Sequence, residues 1–255
     1  MHYRTVIAAL ALVMTTAAQN VSAQAWKEIE AYFDTDIVSH YLWRGQDISG
    51  PAVQPEAYVS YKGLTLKMEG SAALRRDEIS EIDLLLGYEY EGFNIGVTDY
   101  WTTGIDEYDR YFHYNSHGPH QLEANIGYSW KYGSLQAYTI FAGNDYKVSG
   151  SRAFSTFIEY SVPFTLAGVD WTASVGITPF ESSGMAVPET NSLTGDTQVK
   201  GVYFYAESFA CNMVALRATK TLQFGSFHLP LYAEFHANPY LSTAHFLFGL
   251  TITPF

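Results

Sequence analysis

Carboxylate side chains recur at alternate positions in this sequence, beside apolar neighbours. Asp83 lies between Ile82 and Leu84, and both Glu69 and Glu81 also have an apolar neighbour. Alternate residues of a β-strand point to one face, so such segments have one charged face and one apolar face. A concave surface lined by carboxylates attracts cations and repels anions. The chemistry that these residues support is therefore the selection of solutes by charge.

A second cluster of polar side chains lies in a Tyr-rich stretch that has no strand pattern. Its members are Asp106, Glu107, Asp109, His113, His117 and His120. Carboxylates and imidazoles are common ligands of divalent metals, but this spacing matches no defined metal motif. We therefore interpret the stretch as a polar loop whose side chains hydrogen-bond one another, and we predict neither a metal site nor a cofactor.

Ser39 and His40 are adjacent, an arrangement that suggests a membrane hydrolase. On a β-strand, adjacent side chains point to opposite faces, so these two cannot share a proton. The sequence also lacks the G-x-S-x-G motif of α/β-hydrolases. A Ser and a His on neighbouring strands at one height stay open as an alternative, but the prediction is that the protein is not an enzyme.

The elements that position these residues are β-strands, because the period-two alternation extends along nearly the whole chain. Leu64, Leu66, Leu84 and Leu86 show the apolar face, and Lys67 belongs to the charged face. A soluble β-sandwich turns its apolar faces toward one shared core, whereas a membrane barrel turns them toward lipid and keeps charged side chains in its lumen. The predicted fold class is therefore all-β, a single antiparallel transmembrane β-barrel.

Turn signals divide the chain into strands of similar length. The predicted strands span 28–44, 52–62, 64–75, 80–90, 93–102, 121–131, 134–143, 152–163, 169–179, 205–221, 226–236 and 244–253. Short Gly-containing turns, such as 62–63 and 91–92, alternate with longer loops, such as 103–120 and 180–204. This alternation is typical of the periplasmic turns and extracellular loops of bacterial barrels, and the even number of strands places both termini in the periplasm.

The N-terminus indicates an exported protein. Residues 1–23 contain a basic start, an apolar run at 6–18 that is too short for a membrane helix, and a small-x-small cleavage motif at 21–23. We therefore predict a signal peptide at 1–23 and an outer-membrane barrel at 24–255. Cys211 is the single cysteine, which excludes an internal disulfide. The net charge of −12 argues against nucleic acid as a partner.

The barrel interpretation assigns a set of polar residues to the lumen. The predicted lumen-lining residues are Asp34, Asp36, His40, Arg44, Glu56, Lys67, Glu69, Arg75, Glu81, Asp83, Glu123, Glu159, Arg217 and Glu234. Carboxylates outnumber basic groups in this set, so an open lumen would favour cations. Barrels of about eight strands are filled by side chains and those of about sixteen enclose a water channel. A barrel of intermediate size leaves both outcomes open.

Asp99 interrupts the alternation, because Phe93, Ile95 and Val97 at the same parity are apolar. A carboxylate that faces lipid costs free energy unless it lies near the membrane interface. A β-bulge would instead turn the side chain inward. We expect one of these two arrangements.

Several segments resemble one known family. DIVSHYLWRG at 36–45, followed by PAVQP at 51–55, is similar to the opening of the TorF-like porins. EIDL at 81–84, TDYW at 98–101 and LEA at 122–124 also resemble segments of that family. The resemblance extends over most of the chain after the signal peptide. It implies an outer-membrane barrel and a channel, and it supplies no catalytic motif.

The last strand and the resemblance together suggest location and partners. FLFGLTITPF at 246–255 is similar to the C-terminal signal that barrel-assembly machinery reads, so we expect this machinery and outer-membrane lipid as partners. The predicted function is a narrow porin-like channel for small polar or cationic solutes in the bacterial outer membrane. The alternative is a structural or adhesive barrel with a lumen filled by side chains. A barrel-embedded hydrolase is the third possibility.

Overall fold

The structure is a computed structural model that describes residues 28–104, 110–190 and 197–253. The predicted signal peptide at 1–23 and three members of the polar cluster, Asp106, Glu107 and Asp109, lie outside the described residues. No helix among the described residues is long and apolar enough to cross a membrane.

The described residues form β-strands joined by turns and loops. The strands are β1 (Ile29–Val38), β2 (Tyr41–Trp43), β3 (Gln46–Ser49), β4 (Ala52–Tyr61), β5 (Leu64–Ala73), β6 (Glu81–Tyr90), β7 (Phe93–Thr102), β8 (His120–Trp130), β9 (Gly133–Gly143), β10 (Thr156–Leu166), β11 (Val169–Thr178), β12 (Gly184–Thr190), β13 (Thr197–Tyr203), β14 (Ala210–Phe224), β15 (Phe227–Asn238) and β16 (Thr243–Ile252). Twelve of them close into one barrel, in which every pairing is antiparallel and β1 pairs with β16. The predicted twelve-stranded barrel is confirmed.

The barrel has an apolar outer face and a polar inner face. Leu66 and Leu86 are 59% and 56% exposed, whereas Asp83 and Glu123 are only 8% and 1% exposed. This distribution is the reverse of that in a soluble protein, where large apolar side chains are inside and carboxylates outside. It is the surface of a transmembrane barrel, in which the outward apolar side chains contact lipid and not water.

Tight turns connect the strands at one end of the barrel. Lys62 and Gly63 have φ angles of 49° and 84°, and Glu91 and Gly92 have nearly the same values, 49° and 85°. Positive φ at both central residues defines the type I′ turn, whose twist matches that of the flanking strands. A side chain on Gly63 would collide with the carbonyl oxygen of Glu89 on the neighbouring hairpin. The predicted short turns are therefore present, and this end of the barrel is called the short-turn end.

The opposite end, called the long-loop end, carries two additional hairpins. β2 and β3 pair only with each other, as do β12 and β13. The prediction of a single first strand at 28–44 is therefore wrong beyond Val38, where β1 ends. The error has a physical origin: the strands of a short hairpin alternate with the same period as a barrel strand, so the pattern does not show where the chain leaves the wall.

Candidate functional site

A row of carboxylates crosses four neighbouring barrel strands. Asp34 of β1 is paired with Glu56 of β4, Glu56 with Glu69 of β5, and Glu69 with Asp83 of β6. Tyr100 of β7 is the next residue at this height. Side chains directly opposite each other on paired strands are close enough to interact, and like charges in such positions are destabilising. We call Asp34, Glu56, Glu69 and Asp83 the acidic arc.

Lys67 provides part of the compensation for this charge. Its Nζ lies 2.8 Å from Oε1 of Glu69 and 3.5 Å from Oε2 of Glu56. One lysine between two carboxylates leaves the middle of the arc negative. Asp34, at one end of the arc, accepts a hydrogen bond from the hydroxyl of Tyr32.

The acidic arc borders a cavity of about 490 Å³ inside the barrel. Its charged lining consists of Asp34, Asp36, Glu56, Glu69, Glu81, Asp83 and Arg217. Three aromatic side chains, those of Tyr41, Trp43 and Tyr100, also line the cavity, and the rest of the lining is Gln54, Pro55, Gly70, Ser71 and Thr251. Because low-dielectric walls concentrate the field of such charges, the cavity is electrostatically favourable for cations.

The wall that contributes Arg217 has more balanced charges. Arg217 of β14 is paired in register with Glu234 of β15, and their charged groups are 3.5 Å apart. The guanidinium of Arg217 also lies 3.6 Å from the ring centroid of Tyr232. Nε2 of His236 is 2.6 Å from Oε1 of Glu234. This cluster neutralises itself, so the excess negative charge of the cavity belongs to the acidic arc and to Asp36 and Glu81 beside it.

Three further predicted carboxylates, those of Asp36, Glu81 and Glu159, have hydroxyl partners. Asp36 accepts a hydrogen bond of 2.6 Å from the hydroxyl of Tyr232. Glu81 accepts one of 2.7 Å from the hydroxyl of Tyr41. Glu159 of β10 accepts one of 2.8 Å from the hydroxyl of Ser161.

A hairpin folds into the lumen above this cavity. It consists of β2 and β3, which we call the infolded hairpin, and its turn is formed by Arg44 and Gly45, with φ angles of 48° and 79°. Asn238 of β15 donates a hydrogen bond of 3.2 Å to the carbonyl oxygen of Gly45. A side chain on Gly45 would collide with the backbone of Asn212 on β14. The hairpin therefore starts beside β1 and reaches the wall formed by β14 and β15.

Arg44 fixes the infolded hairpin at the long-loop end of the barrel. Its two terminal nitrogens donate hydrogen bonds of 2.6 and 2.7 Å to the carboxylate oxygens of Glu123 on β8. NH1 also donates a bond of 2.7 Å to the hydroxyl of Tyr205. Tyr100 donates a further bond of 3.0 Å to Glu123. We call the contact among Arg44, Glu123 and Tyr205 the Arg44 latch.

The latch is enclosed by aromatic rings. The guanidinium carbon of Arg44 lies 4.1 Å from the ring centroid of Tyr138 and 4.3 Å from that of Trp43. Burial alone would lower the pKa of Arg44, but the contacts with Tyr205 and Glu123 outweigh it, so the pKa lies well above its usual value. Arg44 therefore stays charged, and the bidentate contact with Glu123 is of the strong charge-assisted kind.

Tyr205 belongs to the segment that follows β13. The hydroxyl oxygen of Ser182 accepts hydrogen bonds of 2.9 and 3.0 Å from the backbone N–H groups of Tyr205 and Ala206. Asn212 donates a bond of 2.9 Å to the carbonyl oxygen of Tyr205. These bonds hold the base of the β12–β13 hairpin in the lumen, so two inserted segments meet at the Arg44 latch.

Two predicted site residues lie in loops between strands. Arg75 is beyond the end of β5, its side chain is 69% exposed, and it pairs with Glu78 in the same loop. The prediction that Arg75 lines the lumen is therefore wrong, because β5 ends at Ala73 and its alternation no longer applies. His40 lies in the bend between β1 and the infolded hairpin, and its Nδ1 is buried without a hydrogen-bond partner.

The hydroxyl of Ser39 is engaged with the backbone rather than with His40. It accepts a hydrogen bond of 2.9 Å from the N–H of Phe248. This contact joins the end of β1 to β16, so Ser39 has a structural role where the first and last strands of the barrel meet.

The aromatic side chains around Arg44 were not among the predicted site residues. Tyr138, Phe157 and Tyr100 lie on the inward faces of barrel strands, where most neighbours are polar. A large aromatic residue at an inward position of a charged strand is the signal that would have identified them. It indicates packing inside the lumen rather than contact with lipid.

Asp99 points outward and is covered by the loop that follows β7. Its register with Leu84 and Leu122 continues without a bulge. The hydroxyl of Tyr114 donates a hydrogen bond of 2.6 Å to Oδ2, and Nδ1 of His120 lies 2.8 Å from Oδ1. Burial and this hydrogen bond to Asp99 raise the pKa of Tyr114. The inward bulge is excluded, and the carboxylate is instead satisfied on the outer face near the long-loop end.

The described part of the polar loop at 103–120 is held together by hydrogen bonds and ring stacking. Asn115 contacts the ring of His113 at 2.8 Å, and His117 stacks on Tyr146. Within 28–104, 110–190 and 197–253, no group of three or more His, Cys, Asp or Glu residues is arranged to hold a metal ion.

Comparison with known proteins gives limited information. No protein-family model matches the chain. No curated protein matches it. Among solved structures, the chain is similar to the Salmonella typhi OmpF complex with daunomycin, with 10% sequence identity over 88% of this chain and 96% of that chain, at a TM-score of 0.34. A likeness of this size carries no argument about function, so the functional argument rests on the geometry of the lumen.

Proposed function

We propose that the protein is an outer-membrane barrel that forms a narrow channel for small polar solutes, with a preference for cations. The observation that carries this proposal is the acidic arc, which places four carboxylates in one row along the lumen cavity. Like charges in directly opposite positions are destabilising, and a fold that keeps them has a reason outside stability. Attraction of cations into the lumen is such a reason.

The Arg44 latch supports a narrow path rather than a wide pore. The infolded hairpin contacts walls on opposite sides of the lumen, through Tyr41 to Glu81 and through Gly45 to Asn238. A solute must therefore pass between the hairpin and the wall that carries the acidic arc. Small cations fit such a path better than large neutral solutes, because the carboxylates replace part of the water that a cation loses.

The location proposed for the channel is the bacterial outer membrane. Support comes from the exposed apolar outer face, from the predicted signal peptide at 1–23 and from the C-terminal strand. Lipid and barrel-assembly machinery are the partners that this location implies. The similarity of segments 36–45 and 81–84 to the TorF-like porins agrees with the proposal, and membership of that family is part of it.

A structural or adhesive barrel is the second candidate. Its support is the completeness of the Arg44 latch, since Arg44, Glu123 and Tyr205 satisfy one another in a buried position. Such a latch could close the lumen permanently, and the long loops would then carry the function. The two candidates differ in one measurable property, which is ion conductance.

Neutralising three carboxylates that line the cavity should change ion selectivity. In a planar bilayer with a salt gradient, the triple variant Glu69→Gln, Glu81→Gln, Asp83→Asn should shift the reversal potential toward anions relative to the unaltered protein. The shift follows from the lost field of three cavity-lining carboxylates. It should shrink at high salt, because screening acts over about 3 Å at 1 M.

The matched control removes the same formal charge from exposed positions outside the barrel strands. The variant Asp77→Asn, Glu91→Gln, Glu207→Gln meets this condition. We expect it to keep the original reversal potential. Equal shifts in both triple variants would show that the total charge of the protein, and not the carboxylates of the cavity, sets the selectivity.

A further inference from the structure

We propose that the cavity beside the acidic arc is a binding site for a short organic cation with two ammonium groups. The inference deepens the proposed function by naming the class of solute, and it rests on the same lumen. Three observations carry it: an unpartnered carboxylate oxygen, the spacing of the two ends of the arc, which have no cationic partner among the described residues, and the size of the cavity.

The first observation concerns Asp83. Its side chain lines the cavity, only 8% of the residue is exposed, and Oδ1 is buried without a hydrogen-bond partner. The groups that face it are Glu69 on β5 and Tyr100 on β7, with Glu81 two positions along β6. A buried carboxylate without a partner is costly unless a proton or a cation compensates it. The cavity in front of Asp83 is where that cation would lie.

The second observation is the way in which the arc already holds an ammonium group. Lys67 lies between Glu56 and Glu69, the two inner members of the arc. Within the part of the chain that the structure describes, no lysine, arginine or histidine forms an ion pair with Asp34 or Asp83 at its ends. Three strand spacings separate these ends, which is about 14 Å along the wall and less across the curved lumen. Two ammonium groups on a short alkyl chain match two separated carboxylates.

The third observation excludes a bare metal ion as the better occupant. The cavity measures about 490 Å³, far more than a bare metal ion fills. The described acidic and histidine side chains do not converge on one point in groups of three, as a metal site requires. Tyr41, Trp43 and Tyr100 give the cavity an aromatic surface that an alkyl chain can cover. An extended diamine is large enough for the cavity, and its alkyl chain can cover the aromatic rings.

The test is a calorimetric titration of the purified full-length protein in detergent with putrescine. We expect saturable binding that is stronger than that of n-butylamine, which has one ammonium group, and no binding of succinate. Asp83→Asn should weaken putrescine binding by about tenfold or more, the loss expected for one hydrogen bond between charged groups. Asp34→Asn should have a similar effect.

Two controls keep the result interpretable. Glu159→Gln removes a carboxylate from the lumen wall at a position that does not line the cavity, and it should leave putrescine binding unchanged. Asp83→Asn is isosteric and removes a like-charge repulsion, so circular dichroism should show an intact barrel. Undiminished binding in Asp83→Asn, or equal binding of n-butylamine and putrescine, would overturn the inference.

The failure of this inference is distinguishable from the failure of the proposed channel. Cation-selective conductance without putrescine binding would overturn the diamine site and leave the channel. Putrescine binding that depends on Asp83, in a protein without conductance, would support the site and contradict the channel. Absence of putrescine binding in a folded protein would overturn the inference, whatever the conductance.

Discussion

Replacing Arg44 by Ala should raise the single-channel conductance of the purified protein several-fold in planar bilayers. Arg44 makes the contacts that hold the infolded hairpin to Glu123 and to Tyr205. Its loss leaves Glu123 buried without a cation, a situation that costs about 3–5 kcal/mol. The barrel strands pair independently of the hairpin. We therefore expect the hairpin to leave its position and admit water, which widens the path.

The same experiment has a matched control and a rescue. Arg75→Ala removes an arginine that is exposed in a loop, and it should leave conductance unchanged. The double variant Arg44→Ala, Glu123→Gln removes both charges, so it should conduct like Arg44→Ala but be more resistant to urea. Unchanged conductance in Arg44→Ala would mean that the latch does not restrict the path.

Placing an arginine on the outer face should destabilise the folded barrel. Leu86 lies in the middle of β6, is 56% exposed, and is paired with Leu66 and Val97 on the neighbouring strands. An arginine on the lipid side near the bilayer midplane costs about 2–4 kcal/mol. Leu86→Arg should therefore lower the free energy of unfolding by this amount in a urea titration in lipid vesicles.

The control for the outer face is a lumen position on the same strand. Glu81→Gln keeps an oxygen that can accept the hydrogen bond from the hydroxyl of Tyr41, so it should change the unfolding free energy much less. If Leu86→Arg and Glu81→Gln had equal effects, the assignment of the two faces would be incorrect.

The outer face and the tight turns were predictable because local rules determine them. Leu86 and Asp83 differ in parity, and this alone places them on opposite faces. A two-residue turn also sets register: with Lys62 and Gly63 at the turn, Tyr61 pairs with Leu64, and the pairing of Glu56 with Glu69 follows. This half of the acidic arc could therefore have been deduced from the sequence.

The rest of the arc depends on information that the sequence does not show locally. Glu69 and Asp83 are joined by a loop at 74–80, whose length does not determine the register of the strands. The Arg44 latch joins residues that are 79 and 161 positions apart. The infolded hairpin has the same alternation as a barrel strand, so the pattern predicts an inward Arg44 but does not show the hairpin that carries it.

The cover over Asp99 depends on a loop without regular structure. The parity rule places Asp99 outside, and this placement is observed. The contact of Asp99 with Tyr114 could be predicted only from the path of the loop that follows β7. A loop without regular structure has no periodicity that would indicate this path. The alternation therefore identifies Asp99 as the exception, but not Tyr114 as the side chain that satisfies its carboxylate.

Selectivity of the unaltered protein is the most direct test of the central claim that this barrel is a cation-preferring channel. The measurement is the reversal potential of the purified protein in a planar bilayer that separates two concentrations of potassium chloride. The acidic arc and the cavity that it borders predict measurable conductance and a reversal potential with the sign of a cation-selective channel. This reversal potential should become smaller at high salt, because salt screens the carboxylates. An absence of conductance, or a reversal potential of the sign for anions, would contradict the claim.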